Sequence, residues 1–354
     1  MKTEVIVVDN HFPEFEKIAY CARVLRKGGL VVFPTETVYG IAADFSNPKA
    51  IKRLRQVKKR SEDKPFSLLI SQKSLISNHT SSTNQAIYKL IDAFWPGPLT
   101  VVVPSKEHGK TIGIRMPDNP VALKLVEESQ CSIAAPSANF EGNDPPSTVE
   151  ESLRDLDGLV DVAIDGGKTS IGQGSTVVDM TKDEPTILRA GIITQEAIQE
   201  RISRKVILFV CTGNSCRSVM AEYLLRKQLK DRQDVEVLSA GTGVFVRSTA
   251  SAETIEVLKE EGVLALEHRS QPVSTILLKK SDLIFVMTRA HRQQILERVP
   301  SVEKRIYLLK EFAVANFSLP LDLDIPDPIG HDRQVYRHCL ETIKESTNKI
   351  IELI

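Results

Sequence analysis

A cysteine and an arginine bound a short run of small residues in Cys211-Thr-Gly-Asn-Ser-Cys216-Arg217-Ser218, directly after the apolar stretch Val206-Ile-Leu-Phe-Val210. The five residues between Cys211 and Arg217 let the chain curl around a tetrahedral oxyanion, with backbone N–H groups pointing inward and a helix N-terminus behind them. Gly213 permits the curl. The same inward field favours thiolate over thiol at Cys211, and Ser218 is placed to hydrogen-bond the sulfur. Arg217 can clamp two phosphoryl oxygens bidentately. The chemistry this allows is attack of sulfur on phosphorus, and the departing group then needs a proton. Asp327, in the proline- and glycine-bounded loop Leu323-Asp-Ile-Pro-Asp-Pro-Ile-Gly330, can supply one, although the Asp-Pro pair alone also fits an ordinary turn.

The first half of the chain places its polar groups at strand ends instead. In Thr111-Ile-Gly-Ile-Arg115, alternation buries Ile112 and Ile114 and leaves Thr111 and Arg115 on the other face, with Gly113 between them making room for a ligand. Arg115 reads either as an anion anchor or as a strand-end arginine reaching water. Gly174-Ser-Thr-Val-Val-Asp179 repeats the device with Ser175 and Asp179, and Pro136-Ser-Ala-Asn139 closes an apolar strand with polar groups. Pro34-Thr-Glu-Thr37 reads as an extended turn in which Thr35 and Thr37 point the same way. Lys58 and Arg60 end a basic run that begins at Lys52. On a helix they are solvated surface; in an extended chain they project together as a polyphosphate clamp.

These groups need strands and helices to hold them. An apolar strand at Val5–Val8 is followed by a helix whose Phe15, Ile18, Ala22 and Leu25 share a face and which stops at Gly28-Gly29, and a second strand runs from Leu30 to Phe33. Phe94-Trp-Pro-Gly-Pro-Leu-Thr100 reads as a turn stapled by aromatics. After Arg217, the residues Ala221, Leu224, Leu225 and Leu229 recur at helical spacing, so the cysteine loop has a strand before it and a helix after it. The stretch Ile192–Arg204 reads as a short polar helix joining two α/β modules, giving expected domains at 1–195 and 205–354 with a linker at 196–204.

Composition bounds the function classes. The 354 residues are 42% hydrophobic and 26% charged, with 46 basic and 46 acidic residues, so no global field advertises nucleic acid. Five cysteines show neither a disulfide framework nor zinc spacing, and Cys21, Cys131 and Cys339 read as inert thiols. No apolar run is long enough to span a membrane and no signal-peptide layout opens the chain, so a soluble cytoplasmic protein is expected, with no membrane partner. No Walker-type glycine-lysine loop is present.

From about residue 204 to 354 the chain resembles the low-molecular-weight protein phosphatase family, on the cysteine loop, Asp327-Pro328, Ser239-Ala-Gly241, Asp282–Thr288 and Leu308–Phe312. The resemblance implies a three-layer α/β/α parallel sheet with a phosphate-binding loop. It makes Cys211 the nucleophile, Arg217 the phosphoryl clamp, Ser218 the thiolate-tuning hydroxyl, Asp327 acid and then base, and Asn214 the loop's brace. The substrate would be a phosphoprotein. Relatives acting on phosphotyrosine usually carry an aromatic residue after Asp-Pro, where this chain has Ile329. Those acting on phosphoarginine carry a small hydroxylated residue where this chain has Ser215. The cysteine relay of related arsenate reductases is missing between Cys216 and Cys339. Cys216 reads either as a packed loop residue or, as the resemblance implies, as the partner of Cys211 in a reversible disulfide.

Over roughly residues 10 to 195 the chain resembles the YrdC-like threonylcarbamoyl-AMP synthases. The resemblance rests on Pro34–Gly40, Lys58-x-Arg60, Phe94–Thr100, Gly113-Ile-Arg115, Pro136–Asn139, Gly174–Asp179 and Ile187-Leu-Arg189 in that order. That family implies a twisted α/β sheet with a basic cavity. Its reaction joins L-threonine, bicarbonate and ATP into threonylcarbamoyl-AMP with release of pyrophosphate, feeding modification of adenosine 37 in tRNA. Carried over, Lys58, Arg60, Thr111, Ser137, Asn139, Ser147 and Arg189 face ATP, and Thr35, Ser67, Arg115 and Ser175 face threonine. Magnesium would travel with ATP, with no dedicated protein metal site, and tRNA or tRNA-modification proteins would be partners. Glu141 and Ala190 depart from the residues usual in relatives. The domain that covers the site in longer relatives is expected to be absent, with the phosphatase in its place. The rival reading is a non-catalytic RNA-binding module, since the fold's cavity is basic. Carbamoyl transfer in hydrogenase maturation would require paired Cys-x-x-Cys motifs that this chain lacks.

Overall fold

Short valine- and isoleucine-rich runs alternate with amphipathic helices along the whole chain, a pattern that builds layered α/β structure. The computed structural model describes residues 2–62, 64–107, 109–312 and 322–352. The chain divides into two compact units, Met1–Arg201 and Ile202–Ile354.

In the first unit the strands are β1 (Glu4–Val7), β2 (Val31–Phe33), β3 (Gly40–Asp44), β4 (Ser67–Leu69), β5 (Leu99–Pro104), β6 (Thr111–Arg115), β7 (Ile133–Ala134), β8 (Val162–Asp165), β9 (Thr176–Asp179) and β10 (Thr186–Arg189). Among the described residues they form a ten-stranded mixed sheet in the order β1-β8-β2-β3-β7-β4-β6-β5-β9-β10. The helices are α1 (Phe15–Arg26), α2 (Pro48–Lys58), α3 (Gln85–Phe94), α4 (Pro120–Ser129) and α5 (Val149–Leu156). Alternation along the strands explains the layering. Val31, Phe33, Val162 and Ile164 face α1 and α4, whereas Val32, Ile41 and Ala163 pack with Leu54 of α2 and Leu156 of α5. Asn47 and Asn119 cap α2 and α4, each with proline in the first turn.

Two local expectations shift. Phe15, at the first position of α1, is exposed, and Cys21 joins Ile18, Ala22 and Leu25 on the buried face. The first strand ends at Val7, and Val5 and Val7 are exposed on this edge strand. The helix stop holds: Gly28 has φ 84° just beyond α1.

Helix α6 (Gln195–Ser203) spans the division between the units and overlaps the expected linker. The second unit contains β11 (Lys205–Cys211), α7 (Arg217–Gln228), β12 (Val235–Gly241), α8 (Ala252–Glu260), α9 (Thr275–Lys280), β13 (Leu283–Val286), α10 (Arg289–Arg298), β14 (Ile306–Leu308) and α11 (Arg333–Ile351). Its sheet is parallel, in the order β12-β11-β13-β14. Along β11, Ile207 and Phe209 face α7, α8 and α11, and Leu208 and Val210 face α9 and α10. Central strands covered on both faces read as continuous apolar runs for this reason.

Phe209 stacks on Phe285 with ring centroids 5.6 Å apart in the first of these layers. Phe209→Ala is expected to destabilise the second unit by about 3–5 kcal/mol. The single tryptophan, Trp95, is buried in the first unit, so urea unfolding followed by its fluorescence should be unchanged while the circular-dichroism transition splits.

Candidate active sites

Eight of the expected ligand residues line one cavity of about 370 Å³ in the first unit: Thr35, Arg60, Ser67, Arg115, Ser137, Asn139, Ser175 and Arg189. They come from strands, from the turns that follow them and, for Arg60, from the loop after α2, and Thr100 on β5 joins them. Lys58, Thr111 and Ser147 do not line it. Thr111 is exposed at the start of β6, and Ser147 donates both its N–H and its hydroxyl to Glu151. Gly113 lets two lining residues pack against β6: a Cβ there would lie 2.7 Å from Ser67 Oγ and 3.5 Å from Thr100 Cγ2.

The expected extended geometry fails in two places. Pro34–Thr37 is a bend closed by Thr35, whose hydroxyl donates to the Val38 carbonyl at 2.7 Å and accepts the N–H groups of Thr37 and Val38. Local side-chain hydrogen bonding has displaced the strand here. Thr37 Oγ1 lies 2.9 Å from Thr35 Oγ1, but only Thr35 reaches the cavity. Lys58 is the last residue of α2 and Lys59 takes φ 52°, so Lys58 and Arg60 diverge rather than projecting together. Lys58 is only 2% exposed. Its ammonium donates to the carbonyls of Ser137 and Asn139 at 2.7 and 2.6 Å, and burial, with Arg60 nearby, lowers its pKa to about 8. Arg60 faces the cavity, with its guanidinium 5.3 Å from the Phe66 ring centroid.

Two further arginines define the cavity's charge. Arg115 pairs with Glu36 at 2.7 Å, with side-chain exposures of 9% and 8%, and its Nε donates to the Gly97 carbonyl. Arg189 donates to the carbonyl and hydroxyl oxygens of Ser175, each at 3.0 Å. Desolvation, then Arg115 and Arg60, holds the Arg189 pKa below its ordinary value. Three guanidinium groups therefore converge, while Nη1 of Arg115, Nη1 of Arg189 and the hydroxyls of Ser67 and Ser137 have no partner among the described residues. Glu36 and Thr100 were not foreseen. A buried Arg115 demands a counter-charge, and the acid inside Pro34-Thr-Glu-Thr37 was the available signal. Of the two departures, Glu141 pairs with Lys64 and Ala190 lines the cavity.

In the second unit β11 ends at Cys211, α7 begins at Arg217, and the expected curl lies between them. Cys211 Sγ lies 3.0 Å from Ser218 Oγ and accepts the Asn214 N–H at 3.3 Å. Asn214 has φ 51°; its amide donates to Ser218 and Ser239, and its Oδ1 accepts the Gln271 N–H. That is the bracing expected of it. Arg217 is buried, donating to the Ile325 carbonyl at 2.9 Å and pairing through Nη2 with Asp327, which is 40% exposed. Its Nε is buried with no partner, an unspent donor in a loop shaped for an oxyanion.

Cys211 and Cys216 are both free thiols, and Cys216 Sγ sits 3.5 Å from Ser251 Oγ and 3.6 Å from Tyr336 Oη. Burial pushes the Cys21 and Cys339 thiols up to about 12 and raises Cys131, which suits inert roles. Ile329, after the Asp-Pro pair, is 59% exposed. His291 had no sequence signal. Its Nε2 lies 2.9 Å from Thr212 Oγ1, 79 positions away, and its Nδ1 lies 2.8 Å from Thr288 Oγ1.

An α/β unit with an arginine-lined cavity, followed by one with a cysteine-headed phosphate loop, defines a two-module protein of enzymatic type. Residues 23–191 match the family model described as telomere recombination, and residues 206–354 match that of low molecular weight phosphotyrosine protein phosphatase. The threonylcarbamoyl-AMP synthase of Bacillus subtilis is 40% identical over 211 residues, covering 56% of this chain and 61% of that protein. That of Pyrococcus abyssi is 34% identical over 268 residues, covering 73% of this chain and 78% of that protein. A crystal structure of P. abyssi Sua5 complexed with L-threonine has a TM-score of 0.54 and 30% identity, covering 68% of this chain and 84% of that one. The chain belongs to the threonylcarbamoyl-AMP synthase family and carries a low-molecular-weight phosphatase module in its second half. No helix among the described residues is long and apolar enough to cross a membrane.

Removing one partner of a buried ion pair strands the other charge, so Glu36→Ala should cost about 3–5 kcal/mol, and pairing it with Arg115→Met should recover most of that. Urea unfolding followed through Trp95 checks both. Burial, then Arg217, lowers the His291 pKa from 6.5 to about 4, with Asp327 and Asp324 opposing. Between those values the unfolded chain binds the extra proton, so His291 makes stability fall as pH drops from about 6.5 to about 4. Thermal melts across that window should show a shallower pH dependence for His291→Gln than for the native protein.

Proposed function

We propose that the chain is bifunctional, with a threonylcarbamoyl-AMP synthase in its first unit and a cysteine-dependent protein phosphatase in its second. The observation carrying the first assignment is the convergence of Arg60, Arg115 and Arg189 on one cavity that also offers the unspent hydroxyls of Ser67 and Ser137. Arg60, Ser137, Asn139 and Arg189 would surround ATP, bound with its magnesium, while Thr35, Ser67, Arg115 and Ser175 would surround threonine. The threonine amine captures carbon dioxide to give a carbamate. A carbamate oxygen then bonds to the α-phosphorus as the bond to the β-phosphate oxygen breaks, and pyrophosphate leaves. Positioning and neutralisation of phosphate charge by the arginines are what this route asks of the protein. The product would serve tRNA modification, with tRNA or its modification proteins as partners.

In the second unit Cys211 Sγ would attack phosphorus, the loop N–H groups and Arg217 would hold the phosphoryl oxygens, and Asp327 would protonate the leaving group. Water, deprotonated by Asp327, would then cleave the thiophosphate. Ser215 and the exposed aliphatic Ile329 favour phosphoarginine over phosphotyrosine, because no aromatic face follows Asp327-Pro328 to hold a phenol ring.

The test is mass spectrometry of the product made by the whole chain from threonine, bicarbonate and ATP, alongside phosphate release from phosphoarginine- and phosphotyrosine-bearing peptides. Threonylcarbamoyl-AMP should form only with all three substrates, and phosphoarginine should be cleaved faster. Cys211→Ser should abolish phosphate release and leave the adenylate product unchanged. No adenylate, with RNA still bound, would move the first unit to the non-catalytic reading.

A further inference from the structure

Thr100 is the one polar residue in the run Leu99-Thr-Val-Val-Val103 of β5. Leu99, Val101 and Val103 are fully buried on one face, and alternation turns Thr100 to the other, where it lines the arginine cavity. Val101 pairs with Ile114 of β6, so Thr100 and Arg115 follow one step on, both on the cavity wall. On its other side Thr100 pairs with Val177 of β9, two residues after Ser175. Thr100 is 3% exposed and Ser175 2%. Among the described residues the Thr100 hydroxyl has one partner, the Ser175 hydroxyl at 2.8 Å. A valine has the same shape, so packing does not account for the oxygen.

Hydrogen-bond capacity explains what this contact does. A hydroxyl has one proton and two lone pairs. Arg189 can only donate, and its Nη2 takes one lone pair of Ser175 Oγ at 3.0 Å. Thr100 and Ser175 share one bond between two protons, so one O–H is left for the cavity. Where Thr100 donates, both lone pairs of Ser175 are taken and the proton left is that of Ser175. The Ser175 backbone is held separately: its carbonyl accepts Arg189 Nε at 3.0 Å, and the Thr176 N–H bonds to the Pro98 carbonyl at 2.9 Å. What Thr100 adds is the direction of the Ser175 O–H.

We propose that Thr100 is a positioning residue for the amino-acid substrate: it donates to Ser175 and so makes that hydroxyl a donor only, aimed at an oxygen of threonine. This rests on the reading of the cavity given above, in which Ser175 and Arg115 surround threonine. A group that can only donate accepts an oxygen and rejects an N–H. The pair therefore also turns the ammonium away from this end of the cavity.

Calorimetry on the full chain tests this, with threonine and ATP titrated separately. Thr100→Val should weaken threonine binding about tenfold, the scale of one misdirected hydrogen bond, and leave ATP affinity unchanged. Thr100→Ser, which keeps the hydroxyl, should restore threonine binding to within about twofold. In a Ser175→Ala background, Thr100→Val should add no further loss, because its effect passes through the missing hydroxyl. Unchanged threonine affinity in Thr100→Val, an equal loss of ATP affinity, or no rescue by serine would each overturn the proposal. So would the same loss in the Ser175→Ala background, which would make Thr100 the residue that touches threonine. Should Thr100→Val not fold, Thr100→Ala carries the same expectations, and failure of both to fold would overturn the proposal by assigning Thr100 to the stability of the sheet. A native chain that binds no threonine counts against the synthase reading itself, whereas native binding that the variants leave unchanged counts against Thr100 alone.

Discussion

A buried arginine balanced by one carboxylate underlies both halves of this protein. A guanidinium withdrawn from water is costly unless its charge is compensated. Arg115 meets Glu36, and Arg217 meets Asp327. The two pairs differ in what surrounds the acid. Glu36 is as buried as its partner and belongs to a bend fastened by the Thr35 hydroxyl, so this acid is a fixed counter-charge. Asp327 is 40% exposed on a proline-bounded loop, so its side of the pair stays open to solvent. One kind of contact thus lies closed off from water in one unit and open to it on the acid's side in the other.

The legible part of this arrangement was local. The cysteine loop was readable because its small residues, the strand before it and the helix after it lie in one short stretch. Asn214 adopts the left-handed conformation such a curl needs. The alternation in Thr111–Arg115 put Arg115 on the cavity wall, but Thr111, expected on the same face, is exposed at the start of the strand and lines no part of it. Alternation failed where side chains compete for the backbone. Thr35 closes a bend with its own hydroxyl, and α2 carries its helical turn through Lys58, turning that side chain onto the carbonyls of Ser137 and Asn139.

The rest could not be read because it depends on partners far apart in the chain. Glu36 finds Arg115 across 79 positions, and His291 finds Thr212 across the same interval. Neither pairing leaves a periodic trace. Nor does sequence reveal whether a polar group is spent. Ser147 and Lys58 have the right types for ligand contact, yet Glu151 and the Ser137–Asn139 carbonyls have taken their donors. The residues with capacity to spare, Ser67 and Ser137 among them, are distinguished only by the fold.

Gly113 carries one more consequence. Ser67 and Thr100, two residues of the cavity wall, can close on β6 as tightly as they do because an atom is missing from that strand. This stretch of wall is held in place even when the site is empty, since β6 is hydrogen-bonded to β4 on one side and β5 on the other. A small molecule entering there meets a surface already in its final form and spends little of its binding free energy on rearranging the protein.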